Sequence, residues 1–442
     1  MIGRPSFENL RNSLVILDRP LLVRPRLSAW LVMGFALYLG YDSYQRNFRP
    51  EWFAFNWNPG GNHGANYRTY HHAAELALEG KPFYDVPPPG LDAWAVYLYP
   101  PITVVAYYPF TLGEWLTGYW ILIGLNAIAG LAAAMLIVRF IERSGRQLGW
   151  VDVGLVFLLF LFSPFSFGTI YYGNINILLT CAFVIGFLAL EDGRETLAGL
   201  SFGLAALWKV FPALVGVWLL QRRAWRAIGM AIGVGGGGLL AGVAVFGWKT
   251  TYRFFFDVLM GRAETTQFVR GYPPDGRYYI TLQRPLSHLV WAVWPSAPIE
   301  VLTPVTLVVA TGLLAVFYYR ASDRLDTLFA IFATVVVTVT LIPALQWYLV
   351  LLYFPMIPLL YEWDGPGRIP FVVGALVLFI NERPGGIIEW VDTAGFPAHI
   401  EFLATLVFSV ATVQLYAILL MLAACAYCKY SDVFDDRCEG FV

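Results

Sequence analysis

The chain has 442 residues, 58% hydrophobic and only 13% charged, with a formal net charge of −1. Charge this sparse, together with apolar runs that approach the thickness of a bilayer core, excludes an ordinary soluble enzyme and specifies an all-α polytopic membrane protein. The near-neutral balance gives no reason to expect nucleic acid or a polyanionic partner.

Arg4, Arg11, Arg19, Arg24 and Arg26 precede the first apolar run, residues 27–41. That basic leader is too long for a cleavable signal, so the run is expected to be a retained span with residues 1–26 cytoplasmic. Next comes "ANYRTYHHAAELALEGKPFYDV", residues 65–86, which is polar and helix-patterned. Tyr70, Ala73, Ala74, Ala77 and Leu78 form an apolar stripe, with Arg68, His72, Glu75 and Glu79 on the other side. Asn66 is a candidate N-cap, and Gly80-Lys81-Pro82 is a stop signal. The pattern predicts an amphipathic helix lying on the outer membrane surface.

The run "YLYPPITVVAYYPF", residues 97–110, is interrupted by Pro100, Pro101 and Pro109. A crossing here would place Arg139, Arg143 and Arg146 outside, against the positive-inside bias, so a re-entrant or juxtamembrane segment is predicted. Spans follow at residues 117–138, 150–167, 172–190, 224–246, 300–319, 326–342, 344–361 and 401–428, with a weaker one at 369–381. In "GLSFGLAALWKVFPALVGVWLLQRR", Arg194 stands before the apolar stretch and Arg222, Arg223 and Arg226 behind it. Both flanks can be cytoplasmic only if two half-helices meet near Lys209 and Pro212. These assignments put residues 44–116, 247–299 and 382–400 outside. The basic segments 139–146, 222–226 and 320–324 and a tail at 429–442 fall inside, within a single integral membrane domain spanning 1–442.

Few side chains in these spans carry chemistry. Lys209, in a broken apolar helix, is costly to bury unless an anion meets it; the plainer alternative is a lysine snorkelling to the interface. Arg262, Arg270 and Arg277 are further phosphate-binding candidates, although loop arginines are usually just solvated. Asn174 and Asn176 in "GNINILL" either hold substrate hydroxyls or satisfy a helix end. Gln283, Ser287 and His288 form a polar patch for which interfacial capping beside Trp291 and Trp294 is the simpler role. There is no Asp-x-Asp motif, and His63, His71 and His72 in a wet loop make a weak metal pattern. Cys181, Cys425, Cys428 and Cys438 read as ordinary thiols, since Cys425-x-x-Cys428 lacks further ligands of suitable spacing.

The succession of "EGKPFYDV", "YPP", "YYGNINILL", "LWKVFP" and "PALQWYLVLLYFP", within residues 27–361, resembles the family 87 glycosyltransferases. The resemblance implies a GT-C-like transmembrane helix bundle with an external amphipathic helix, a re-entrant segment and broken helices. It also implies a polyprenyl-phosphate-linked sugar donor, commonly of mannose or arabinofuranose, and a glycan or glycolipid hydroxyl as acceptor. The active site would face outward from the cell membrane, without cofactor or metal. Where the family pattern has an acidic residue, this chain has Asn66, and where it often has a histidine, this chain offers Tyr348. An amide accepts no proton at neutral pH, which moves the expected base to Glu75 first, or to Asp85, His71 or His72, with Asn66 orienting the acceptor. Lys209 would hold the donor phosphate, and Tyr70, Asn174, Asn176, Arg270, Gln283 and Tyr348 would line the substrate site. Transfer without a second carboxylate points to direct displacement with inversion. A catalytically silent lipid-linked-sugar binder stays open, as does a secondary transporter, for which internal repeats would be expected.

Overall fold

The computed structural model describes residues 21–47, 51, 61–261, 279–321, 323–341, 344–382 and 384–439. In chain order the α-helices are α1 (Pro25–Asn47), α2 (Ala65–Leu78), α3 (Trp115–Glu142), α4 (Trp150–Phe162), α5 (Pro164–Tyr172), α6 (Asn176–Glu191), α7 (Glu195–Trp208) and α8 (Gly216–Gln221). They continue with α9 (Trp225–Arg253), α10 (Gln283–Val293), α11 (Leu302–Tyr318), α12 (Arg324–Thr340), α13 (Tyr353–Glu362), α14 (Arg368–Leu378), α15 (Pro384–Thr393), α16 (Ala398–Val410) and α17 (Val413–Glu439). Tight 3-10 runs at Pro101–Leu112, Phe211–Val215 and Gln346–Leu352 join some of them. Among the described residues there is no strand, only an isolated antiparallel bridge between Ile280 and Ala344.

Among the described residues five helical stretches are long and apolar enough to cross a membrane: Trp115–Glu142, Trp150–Tyr172, Trp225–Met260, Ile299–Tyr318 and Val413–Ser431. The chain is an integral membrane protein. Helix α12 is buried at every position from Leu328 to Thr340, as expected for a helix that is apolar all round and sits centrally. Its Thr334, Thr338 and Thr340 hydroxyls donate to carbonyls one turn back, so they enter the interior already satisfied. Helix α9, by contrast, buries only Ala227, Gly242 and Thr251. Its exposed Ile232, Leu240, Val245 and Trp248 form an apolar surface suited to lipid.

Basic side chains gather at one end of the bundle through ion pairs between helix ends. Arg143 meets Asp192 at 2.9 Å, Arg222 meets Glu191 at 3.3 Å, Arg324 meets Glu362 at 2.6 Å, and Arg26 pairs with Asp152. An exposed pair such as Arg143–Asp192 contributes about 0–1 kcal/mol, whereas the Asp152 carboxylate is buried and also accepts from Trp30, Tyr361 and the Gly149 amide. The α7–α8 hairpin closes at the same end. The Arg226 amide donates to Glu195 at 2.9 Å, so the start of α7 and the residues after α8 lie together. Lys209 is at the far turn.

Several expectations about spans change, and the expected span at 344–361 is instead the Gln346–Leu352 3-10 run leading into the short α13. The single span at 401–428 is two helices. Thr412 Oγ1 accepts the Leu415 amide and starts α17, while Arg284 takes the Ser409 carbonyl freed at the end of α16. The expected loop at 382–400 contains α15. At the other end, α1 continues to Asn47, past the expected start of the outer loop at 44.

Candidate active site

The site is built first by a helix end. Helix α5 stops at Gly173, whose φ of 65° lies in the left-handed region, and the Gly173 and Asn174 amides turn back to the Ile170 and Thr169 carbonyls. Asn126 of α3 then donates to the Asn174 carbonyl at 3.0 Å. A Cβ on Gly173 would lie 2.6 Å from Tyr67 Cβ and 3.1 Å from the Tyr119 ring, besides being strained by the positive φ. Gly173→Ala is therefore expected to destabilise by about 1–3 kcal/mol, and to weaken any ligand that depends on Asn174 and Asn176. Thermal unfolding of the detergent-purified protein checks the first effect.

Lys209 completes the arrangement. Its backbone is extended (φ −133°, ψ 125°) where α7 ends, and Pro212 opens the following 3-10 turn, so the helix cannot run on. Only 2% of the residue is exposed. The ammonium donates to Asn174 Oδ1 and Asn176 Oδ1, each at 2.8 Å, and to the Tyr348 hydroxyl at 3.0 Å. It also lies 4.4 Å from the centre of the Tyr348 ring and 5.6 Å from that of Tyr99. Three neutral oxygens and two π faces thus surround this ammonium.

Helix α2 reaches this cluster with one face only. The Tyr70 hydroxyl bonds that of Tyr99 at 3.1 Å, and Asn66, one turn earlier, shares that face. Glu75 is turned about 140° from Tyr70 around the helix, and about 180° from Asn66. With Arg68, His71 and His72 it lines an open cleft of about 420 Å³ bounded by Pro88, Pro89, Gly113, Glu114 and Trp115. Glu75 and Asn66 therefore do not converge on one point. Nor is Asn66 the cap: Gly64, at φ 64°, holds that position and Asn66 lies in the first turn. The predicted stripe is only part of the buried surface, because His71 and Tyr67 are also covered while Leu78 is 54% exposed. Burial holds His71 below the usual imidazole range, against the opposing pull of Glu75 and of the Gly113 and Phe110 carbonyls.

Asp85 is an exposed residue of the turn that follows α2. The hydroxyl of its neighbour Tyr84 donates to the Tyr99 carbonyl at 2.7 Å, and Asp85 itself accepts from Arg253 at 2.7 Å. Its φ of 60° is in the left-handed region, which aspartate adopts more readily than most residues. Beside the Lys209 turn runs an apolar groove of about 630 Å³, between the α7–α8 hairpin and α9. Pro100, Leu207, Val210, Pro212, Phe254 and Phe255 are among its walls.

The family profile of glycosyltransferase family 87 matches residues 97–343, more than half of the chain and inclusive of Tyr99, Asn174, Asn176 and Lys209. The chain belongs to glycosyltransferase family 87. Among solved structures, the chain is similar to ArnT from Cupriavidus metallidurans in the apo state, over 90% of this chain and 76% of that one, at 15% identity and a TM-score of 0.29. No curated protein matches it in sequence.

In this glycosyltransferase the other singled-out residues have settings of their own where they are described. Arg262, Arg270 and Arg277 lie outside the described residues. Gln283 begins α10, which is tied to the Thr340 and Ala344 carbonyls through Leu282 and Ile280. In the same helix Ser287 donates to the Arg284 carbonyl, and burial with the nearby Arg284 charge holds His288 below its usual range. That patch docks α16. His63 is buried against Tyr119 and Tyr171, and burial followed by the Arg68 charge pushes its pKa down to about 4. Among the described residues no group of three or more His, Cys, Asp or Glu side chains is placed to hold a metal ion. Cys181 and Cys425 are buried free thiols. The residues missed beforehand are Tyr99, Tyr84 and Asn126. The tyrosine-dense run from Tyr84 to Tyr108 was the available signal for two of them.

Proposed function

We propose that this family 87 enzyme transfers a sugar, mannose or a pentose, from a polyprenyl-phosphate donor to a hydroxyl of a glycan or glycolipid. The single observation that carries this is the juxtaposition of a buried ammonium with an apolar groove. Lys209 suits a lipid phosphate, and the adjoining groove suits the first isoprene units of its chain. The reading uses a GT-C-type arrangement, with the site on the outer face and the N-terminus cytoplasmic. The clustering of Arg143, Arg222, Arg324 and Arg26 at the opposite end supports that sidedness under the positive-inside bias. The Pro101–Leu112 run fits a segment that stays on one side, because Tyr97 before it and Trp115 after it both lie against α2.

The chemistry follows from charge. A base takes the acceptor proton, the resulting oxygen attacks the anomeric carbon, and the bond from that carbon to the phosphate oxygen breaks with inversion. Lys209 stabilises the phosphate as it leaves, which needs no metal. Asp85 is our assignment for the base, since Glu75 faces the other side of α2. Asn66, on the Tyr70 face, would orient the acceptor hydroxyl, with Tyr70, Asn174, Asn176 and Tyr348 framing the donor.

The test is an assay of purified protein in nanodiscs with a panel of polyprenyl-phosphate sugars, measuring both transfer and donor hydrolysis. Turnover of at least one lipid-linked sugar is expected. Donor binding without turnover would make this chain a silent binder, and use of nucleotide sugars alone would overturn the proposed donor class.

A further inference from the structure

The cleft on the far side of α2 takes no part in the displacement just described, and its walls have a chemistry of their own. Glu75 and Glu114 present carboxylates; Glu75 is about half exposed, and Glu114 precedes α3 without capping it through its side chain. Arg68 gives one guanidinium nitrogen to the Pro89 carbonyl at 3.0 Å, while its Nη1 is buried without a hydrogen bond. His71 is 7% exposed, and its Nε2 likewise has no hydrogen bond of normal geometry. Trp115 supplies an indole face, with the Arg68 guanidinium 5.8 Å from the ring centre.

That combination narrows the ligand. Two carboxylates repel a phosphate, and the absence of a three-ligand group among the described residues argues against a metal. A sugar needs acceptors and donors side by side for its vicinal hydroxyls, and an apolar plate for its C–H face. Carboxylate, guanidinium and imidazole supply the first, and indole with proline the second. The volume of about 420 Å³ lies in the range of small-molecule sites, roughly 300–1,000 Å³.

We propose that this cleft is a remote glycan-binding subsite, which grips a sugar of the acceptor other than the one that reacts. A helix with its side chains is about 10–12 Å across, and α2 stands between the cleft and the Tyr70–Tyr99–Lys209 side. A saccharide held here reaches the reacting position only around the helix, so the subsite selects acceptors of more than one unit. The term acceptor rests on the transferase function proposed above; saccharide binding in the cleft does not.

The experiment is ligand-observed saturation-transfer NMR on the protein in nanodiscs, with no donor present. The probes are linear tetrasaccharides of mannose, glucose, galactose, N-acetylglucosamine and arabinofuranose, each paired with its monosaccharide. At least one tetrasaccharide should bind about tenfold tighter than its monosaccharide, and Glu75→Gln and Glu114→Gln should each remove most of that advantage. Both side chains are at the surface, so these variants keep the fold. Trp115→Ala serves as a second variant at the stacking wall and should lower tetrasaccharide binding as well. Equal binding of long and short sugars, no binding at all, or an advantage that survives the glutamine variants would overturn the subsite. A protein that binds a tetrasaccharide but transfers nothing sinks the transferase function instead, and transfer without length dependence sinks only the subsite.

Discussion

Lys209→Met is expected to weaken donor binding by about 1.5–3 kcal/mol, the scale of a hydrogen bond to a charged group, or roughly ten- to 150-fold in Kd. The substitution keeps length and apolar stem and removes only the ammonium. Its effect on folding is a balance. Asn176 Oδ1 loses a buried donor, at about 1–3 kcal/mol for a group left unsatisfied, whereas Asn174 Oδ1 still accepts the Ile175 amide at 2.8 Å. Against that, a buried charge worth several kcal/mol of desolvation disappears. Stability should therefore change less than donor affinity does. Titration of nanodisc-embedded protein with a polyprenyl-phosphate sugar, alongside thermal unfolding, separates the two. A variant that unfolds earlier yet binds donor with undiminished affinity would make Lys209 a structural pin joining α6, α7 and the Gln346–Leu352 turn.

Asp85→Asn should lower turnover by about 10²- to 10⁴-fold, the usual contribution of a positioned general base, with donor affinity unchanged. The choice of asparagine is deliberate. Asn tolerates the left-handed φ of 60° at this position, and its amide oxygen can still accept from Arg253, so the loop keeps its shape while the proton acceptor is lost. Asp85→Ala would add backbone strain and confuse the two effects. Steady-state transfer rates at saturating acceptor, with donor binding measured in parallel, decide the matter. Full activity in Asp85→Asn would remove this carboxylate from the mechanism, and a gain of turnover in Asn66→Asp would then place the base on α2.

The lysine, the two asparagines and Tyr348 were each legible one at a time. A charge within an apolar run is an anomaly in any membrane sequence, and polar residues at a helix start attract notice for the same reason. That they form one seat was not legible, since residues 99, 174, 176, 209 and 348 meet only when the α7–α8 hairpin brings its turn to the start of α6. The base is a similar case. Periodicity placed Glu75 on the polar side of α2, but which side faces the site depends on the tyrosines of the Pro101–Leu112 region packed against the helix, and these took the Tyr70 face.

What the amino-acid order determined by itself was the class: an all-helical membrane protein, its basic loops, the α2 helix and the break at Lys209. Those depend on local quantities, namely the apolar length needed to cross hydrocarbon, the cost of burying a charge, and the inability of proline to continue a helix. Tertiary structure decided the rest. It divided 401–428 into two helices, since Arg284, more than 100 positions earlier, satisfies the Ser409 carbonyl at the break. It covered His71, which a helix lying on a flat surface would have left wet. And it turned Glu75 away from the Tyr70 face and into the cleft with Arg68 and Trp115, because a helix turns about 100° per residue and only its neighbours fix the direction from which that rotation is counted.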